Sequence, residues 1–202
     1  MRLIGSVTSP YVRFVRVSLA ELGLEHEFIV TGPFAKMSPE DQHRINTANP
    51  LMKVPVLEAN GERIIDSRVI VNWLLARQAK AGGYGHGFLE SVQRENLLSV
   101  IYGVLEAGIL RFIMQGSHPE IDMGAGYMAR SLARVQSGLR WLARSNDLGA
   151  CFGPPEALLV CGLEWMRKRS VYDWSVHARL VEVHRRYEAR ESLVTTRIPD
   201  VI

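Results

Sequence analysis

Apolar positions change their period along the chain, and the change separates a mixed first half from a helical second half. Residues 2–7 (Arg-Leu-Ile-Gly-Ser-Val) suit a short strand that ends in the turn Thr8-Ser9-Pro10. A helix follows from Tyr11 to about Leu22, with Val12, Val15, Leu19 and Leu22 on one face and Gly23 at its end. Glu27 to Val30 suits a second strand. Ser38-Pro39-Glu40-Asp41 opens another helix, with a hydroxyl cap, a proline at the first position and acids where the helix dipole favours them. Val56-Leu57 and Ile64-Ile65 flank Asn60-Gly61, a pair that tolerates positive φ at both centres of a type I′ hairpin turn. Pro55 cannot donate to a strand ladder, which confines it to a strand start. Asp66-Ser67 then offers side-chain oxygens to the start of a helix over 67–79, carried by Val69, Ile70, Trp73 and Leu74.

The segment Lys80 to Gly87 holds four glycines in eight residues and reads as a linker. Beyond it the period is helical throughout. Phe88 to Gln115 reads as one long helix, and Met123 to Ser145 as a second with Leu132, Val135, Leu139 and Leu142 in register. Gly153-Pro154-Pro155-Glu156 begins a third helix, and Ser175 to Arg190 makes a fourth. The tail from Glu191 to Ile202 shows little pattern and is expected to pack loosely or to wait for a partner. The order β-α-β-α-β-β-α followed by a helical bundle divides the chain into residues 1–79, a linker at 80–87, and residues 88–202.

Composition narrows the function without naming it. A formal net charge of +3 tolerates acidic small molecules but falls short of the basic density of a nucleic-acid module. The arginines and lysine at 167–169 and 185–186, near Trp165 and Trp174, read as a solvated helix face. The two cysteines, Cys151 and Cys161, make neither a disulfide framework nor a zinc site, and both read as buried small hydrophobes in a reducing compartment. No leader is legible at the N-terminus, and no unbroken apolar run approaches the ~18 residues of a membrane span. A cytoplasmic protein without a membrane partner is the expectation. The six histidines show no paired-ligand spacing, so no metal is expected. What remains is a shape. Extended backbone at Lys53-Val54 faces a helix N-terminus at Asp66-Ser67, which suits an extended peptide carrying carboxylates.

The turn Ser9-Pro10-Tyr11-Val12, the pair Val54-Pro55 and the pair Asp66-Ser67 closely resemble the glutathione transferase superfamily, most of all bacterial members that begin Ser-Pro-Tyr-Val-Arg. The resemblance extends over nearly the whole chain. It implies an α/β thioredoxin-like N-terminal domain and an all-α C-terminal domain, assembled as a two-fold homodimer. It implies a cis Val54–Pro55 bond that turns Val54 outward to pair with the cysteinyl part of glutathione. The γ-glutamyl carboxylate would meet Ser67, its ammonium Asp66, and the glycyl carboxylate Lys53, with His43 a weak further candidate.

Ser9 stands where the resemblance places the activating residue, at the first position of the turn that reads Cys-Pro-Tyr-Cys in glutaredoxins. Both sulfur positions are replaced here, by Ser9 and Val12, which removes the thiolate that disulfide exchange requires. A hydroxyl can donate to the glutathione sulfur instead, while the same residue also reads as an ordinary helix cap. Thr8 is a rival hydroxyl and Tyr11 a third. A pocket for a small hydrophobic electrophile is expected between the domains. Tyr102, Leu105, Glu106 and Ile109 of the long helix could line it, with Phe34 and Tyr127 as further candidates. Gly153 and Glu156 depart from the Ser or Thr cap and Asp of many relatives, and Asp66 replaces a common Glu. The implied activity is conjugation of glutathione, as co-substrate, to such an electrophile. The alternatives are a glutathione-dependent peroxidase, or a non-catalytic interaction protein resembling the stringent starvation family.

Overall fold

The computed structural model describes residues 1–33, 36–78 and 83–200. Phe34, the end of the helix expected over 67–79, and the first part of the glycine-rich segment lie outside them. The chain forms two compact units. Unit 1 comprises Met1–Leu89 with Ala189–Ile202, and unit 2 comprises Glu90–Glu188.

Unit 1 is built on a four-stranded sheet in the order β2-β1-β3-β4. The strands are β1 (Arg2–Gly5), β2 (Glu27–Val30), β3 (Val56–Ala59) and β4 (Glu62–Ile65). β1 runs parallel to β2 and antiparallel to β3, and β3 runs antiparallel to β4. The register aligns Ile29, Ile4, Val56 and Ile65 in one row across all four strands. Because side chains alternate between faces, these four share a face, and Ala48 of helix α2 (Pro39–Ala48) joins their cluster. The neighbouring row, Phe28, Leu3, Leu57 and Ile64, serves the other face. Helix α3 (Ser67–Gln78) packs against β3, β4 and helix α1 (Pro10–Glu21). The hairpin takes the expected form, with Asn60 at φ 54° and Gly61 at φ 80°.

Two segments differ from the sequence reading. In the glycine-rich segment, Tyr84 is buried and its hydroxyl pairs with Ser18 of α1 at 2.8 Å, so this part is packed. The patternless tail is packed too. After Ala189 it forms a short helix, α8 (Glu191–Val194), against α1. Leu193 is fully buried, and the buried guanidinium of Arg13 donates to its carbonyl at 3.0 Å. Glu21 accepts from Arg190 Nε at 3.0 Å and Nη2 at 2.7 Å, and from the Ser192 hydroxyl. A four-residue helix is too short to show a period, which is why the sequence left it blank.

Unit 2 holds α4 (Val92–Ser117), α5 (Gly126–Arg144), α6 (Pro154–Lys168) and α7 (Ala178–Tyr187). The helix read as Ser175 to Arg190 is in fact a 3₁₀ turn at Trp174–Val176, capped by Asp173, and then α7. α4 is long and apolar enough to cross a membrane by length and composition, although no unbroken run suggested it. Its inner face, including Leu97, Leu98, Ile101 and Leu105, is buried, and the helix packs on α5 and α6. Cys161 is buried as expected. Cys151 is exposed, contrary to expectation, because it falls in the loop ahead of α6.

The altered start of α6 centres on Glu156, whose side chain is fully buried. Its Oε2 accepts the Gly153 N–H at 3.1 Å, closing back on the cap as a Glu at this position can. Its Oε1 accepts the Gly149 N–H at 2.9 Å, and Arg94 binds both oxygens as a fork. Burial pulls the Arg94 pKa down, but the hydrogen bonds and charge of Glu156 prevail and hold it above its usual value. Replacing one carboxylate oxygen by an amide nitrogen removes the charge beside a largely buried guanidinium and leaves one of the two backbone donors without its acceptor. Glu156→Gln is expected to cost about 3–5 kcal/mol in urea unfolding; a loss under about 1 kcal/mol would mean water replaces the pair. For the tail, Leu193→Ala is expected to cost about 2–5 kcal/mol by the same measurement. A near-neutral result would show α8 detached in solution.

Candidate functional site

The site follows from the direction of the strands. β1 ends at Gly5 and leads through Ser6 to Ser9, where α1 begins. β3 runs the other way, so its first residue, Val56, pairs with Ile4 near that end of β1. Val54–Pro55 therefore lies at the same edge of the sheet as the Ser6–Ser9 turn. β4 runs antiparallel to β3, its last residue Ile65 opposite Val56, so Asp66 and Ser67 emerge there as well. Two helix N-termini and one extended segment thus converge, the first of them more than forty positions before the other two.

Ser9 caps α1. Its hydroxyl oxygen accepts the Val12 N–H at 3.3 Å, its own N–H donates to the Ser6 carbonyl at 3.1 Å, and Pro10 fills the first helical position. Accepting as a cap leaves the hydroxyl proton uncommitted among the described residues. Thr8 Oγ1 lies 3.0 Å from Ser6 Oγ. Tyr11 is half-buried in the first turn of α1.

The Val54–Pro55 bond is cis, as the resemblance implied. Val54 itself stands outside both strand registers, which begin at Val56. The loop ahead of it is organised by a residue to which the sequence reading assigned no role. Asn49, almost fully buried, accepts the Leu51 N–H at 2.9 Å and donates from Nδ2 to the Lys53 carbonyl at 2.8 Å. The Asn-Pro dipeptide at 49–50, a turn starter, was its only local signal. The Lys53 side chain is exposed.

Asp66 adopts φ 71°, a left-handed conformation that Asp tolerates better than Glu. Its short side chain explains the tolerance, since Oδ1 accepts the Arg68 N–H at 2.7 Å while its carbonyl accepts the Ile70 N–H at 2.9 Å. Ser67 is buried at the first position of α3. His43 lies on α2 and is exposed.

The residues expected to line an electrophile pocket have different surroundings. Leu105 is buried and abuts Gly162 of α6, inside the core of unit 2. Tyr102 and Ile109 are half-buried, Glu106 is exposed, and the exposed ring of Tyr127 lies under Arg134 at 5.5 Å. Among the described residues there is no cluster of three or more His, Cys, Asp or Glu that could hold a metal.

Residues 3–82 match the family model of the glutathione S-transferase N-terminal domain. An uncharacterised GST-like protein of Escherichia coli K12, YibF, is 27% identical over 140 residues, spanning 69% of this chain and 66% of that protein. The match therefore covers just under two thirds of that relative's length. A glutathione S-transferase of Methylobacillus flagellatus, solved with glutathione bound, is similar with a TM-score of 0.80 and 27% identity, over 98% of this chain and 99% of that one. One from Methylobacterium radiotolerans, in complex with glutathione sulfonate, gives a TM-score of 0.77 and 25% identity over 100% and 95%.

Asn49→Ala is expected to cost about 1–3 kcal/mol in urea unfolding, because it removes a buried side chain that holds the Leu51 N–H and the Lys53 carbonyl together. A loss below about 0.5 kcal/mol would mean that the loop holds without it.

Proposed function

Because residues 3–82 match the N-terminal domain model of glutathione S-transferases and solved members of that superfamily are similar over nearly the whole chain, we propose that the chain is a glutathione S-transferase that binds glutathione across this edge of the sheet and transfers it to a small hydrophobic electrophile. The observation that carries the reading is the convergence of the Ser9 cap, the Val54 backbone and the Asp66-Ser67 helix start on one sheet end. An extended tripeptide with two carboxylates and one ammonium fits that arrangement. Ser67 and the first N–H groups of α3 receive the γ-glutamyl carboxylate. Asp66 faces the ammonium, Val54 pairs with the cysteinyl backbone as an added strand, and Lys53 meets the glycyl carboxylate.

The cysteinyl thiol then lies at the start of α1. A free thiol has a pKa of about 8.5, and a hydroxyl proton with a helix N-terminus favours the anion over the neutral form. The thiol proton passes to solvent, and Ser9 donates to the thiolate that remains. That sulfur forms a bond to the electrophilic carbon, while the leaving group departs with the displaced electron pair. No covalent bond to the protein is made. Peroxide reduction begins from the same thiolate. Assembly as a two-fold dimer belongs to the same reading.

Calorimetric titration of glutathione into the wild-type protein, Ser67→Ala and Asp66→Asn tests the placement. The wild type is expected to bind. Each variant is expected to bind roughly 10–100-fold more weakly, since each loses a hydrogen bond to a charged group. Asn retains the short side chain that suits φ 71° at position 66, so its loss would report the charge. No heat at millimolar glutathione would overturn the reading and direct attention to a protein partner.

A further inference from the structure

We propose that the thiolate site has two hydroxyl donors, Thr8 as well as Ser9, and that the buried Ser6 turns the Thr8 proton outward. The inference rests on the glutathione reading above and deepens it at the sulfur.

Proton bookkeeping around Ser6 leads there. Ser6 is 4% exposed at the end of β1. Its hydroxyl oxygen accepts the Thr8 N–H at 3.4 Å and lies 3.0 Å from Thr8 Oγ1. Either hydroxyl could donate across that contact, but the two choices are unequal. If Thr8 donated, Ser6 Oγ would accept twice, and its own proton would be buried without an acceptor among the described residues. A buried unsatisfied donor is costly. If Ser6 donates, its hydroxyl both gives its proton and accepts one bond. Thr8 Oγ1 then accepts one bond and keeps its own proton. Thr8 is half-buried, so that proton reaches the open side of the turn.

Thr8 and Ser9 then stand in equivalent states. Each hydroxyl oxygen accepts one hydrogen bond, from Ser6 in one case and from the Val12 N–H in the other. Each has a proton left to give. The Ser9 N–H also ends on Ser6, through its carbonyl, so one buried residue holds both donors in place. Adjacent donors at a helix N-terminus suit a large, diffuse anion such as a thiolate better than a single one does. Accepting a bond also strengthens a hydroxyl as a donor, which lets Ser6 act on the sulfur through Thr8. Ser6 is thus a positioning residue, and Thr8 touches the substrate.

The test is the midpoint of thiolate formation in bound glutathione, followed by thiolate absorbance against pH. It is measured at saturating glutathione on the wild type, Ser9→Ala, Thr8→Val, Thr8→Ser, Ser6→Ala and Ser6→Ala/Thr8→Val. Thr8→Val and Ser9→Ala are each expected to raise the midpoint by about one pH unit, from the loss of a bond to a charged group. Thr8→Ser keeps the hydroxyl and is expected to stay near the wild type. Ser6→Ala is expected to raise the midpoint in the same direction, and the double variant no further than Thr8→Val alone, because Ser6 acts through Thr8. A wild-type midpoint in Thr8→Val, or additive shifts in the double variant, would overturn the inference while leaving glutathione binding intact. A wild type that binds no glutathione would overturn the functional reading itself, and the inference with it.

Discussion

Everything at the candidate site depends on the pairing of β1 with a parallel neighbour on one side and an antiparallel one on the other. The parallel strand needs a long crossover, which α1 provides, and that brings the Ser9 cap to the end of β1. The antiparallel strand enters from that same end, so the chain passes Lys53, Val54 and Pro55 on its way in. A one-residue slip would turn the row Ile29, Ile4, Val56 and Ile65 to the wrong face and separate it from Ala48. The hydrophobic row therefore sets the position of the polar groups. Packing and site geometry are one constraint seen from two directions.

Around that frame, buried polar groups do the local fixing. Asn49 spends its side-chain oxygen and nitrogen on the loop before Val54. Arg13 ties α1 to the carbonyl of Leu193, and Glu21 gathers Arg190 and Ser192, so the last residues complete the unit that the first residues begin. In unit 2, Glu156 does the same for the start of α6, accepting from two backbone N–H groups and from Arg94. Such groups specify geometry because their partners leave little freedom of direction, whereas apolar contacts tolerate sliding. The positive φ of Asp66 belongs with them: the left-handed turn is held by a side chain short enough to reach Arg68.

Local chemistry alone determined the elements whose signals lie within a few residues. Asn60-Gly61 dictated the hairpin, Ser38-Pro39 and Ser9-Pro10 dictated helix starts, and Gly153 with Glu156 dictated the start of α6, because caps and turns are satisfied by immediate neighbours. From those elements the two-part architecture was legible, as was the facing of Lys53-Val54 by a helix start at Asp66-Ser67, whereas the candidacy of Ser9 came from the family resemblance. Tertiary structure decided the rest, because the partners lie far apart in sequence. It made Arg13 a buried donor to Leu193, gave the patternless tail a place on α1, buried Tyr84 against Ser18, and left Cys151 outside. It also sent Leu105 into the helical core, a choice that a stripe of apolar residues cannot reveal, since the same stripe suits a pocket wall or a packed interior. Which polar groups end up buried, and against what, is settled only when distant segments meet.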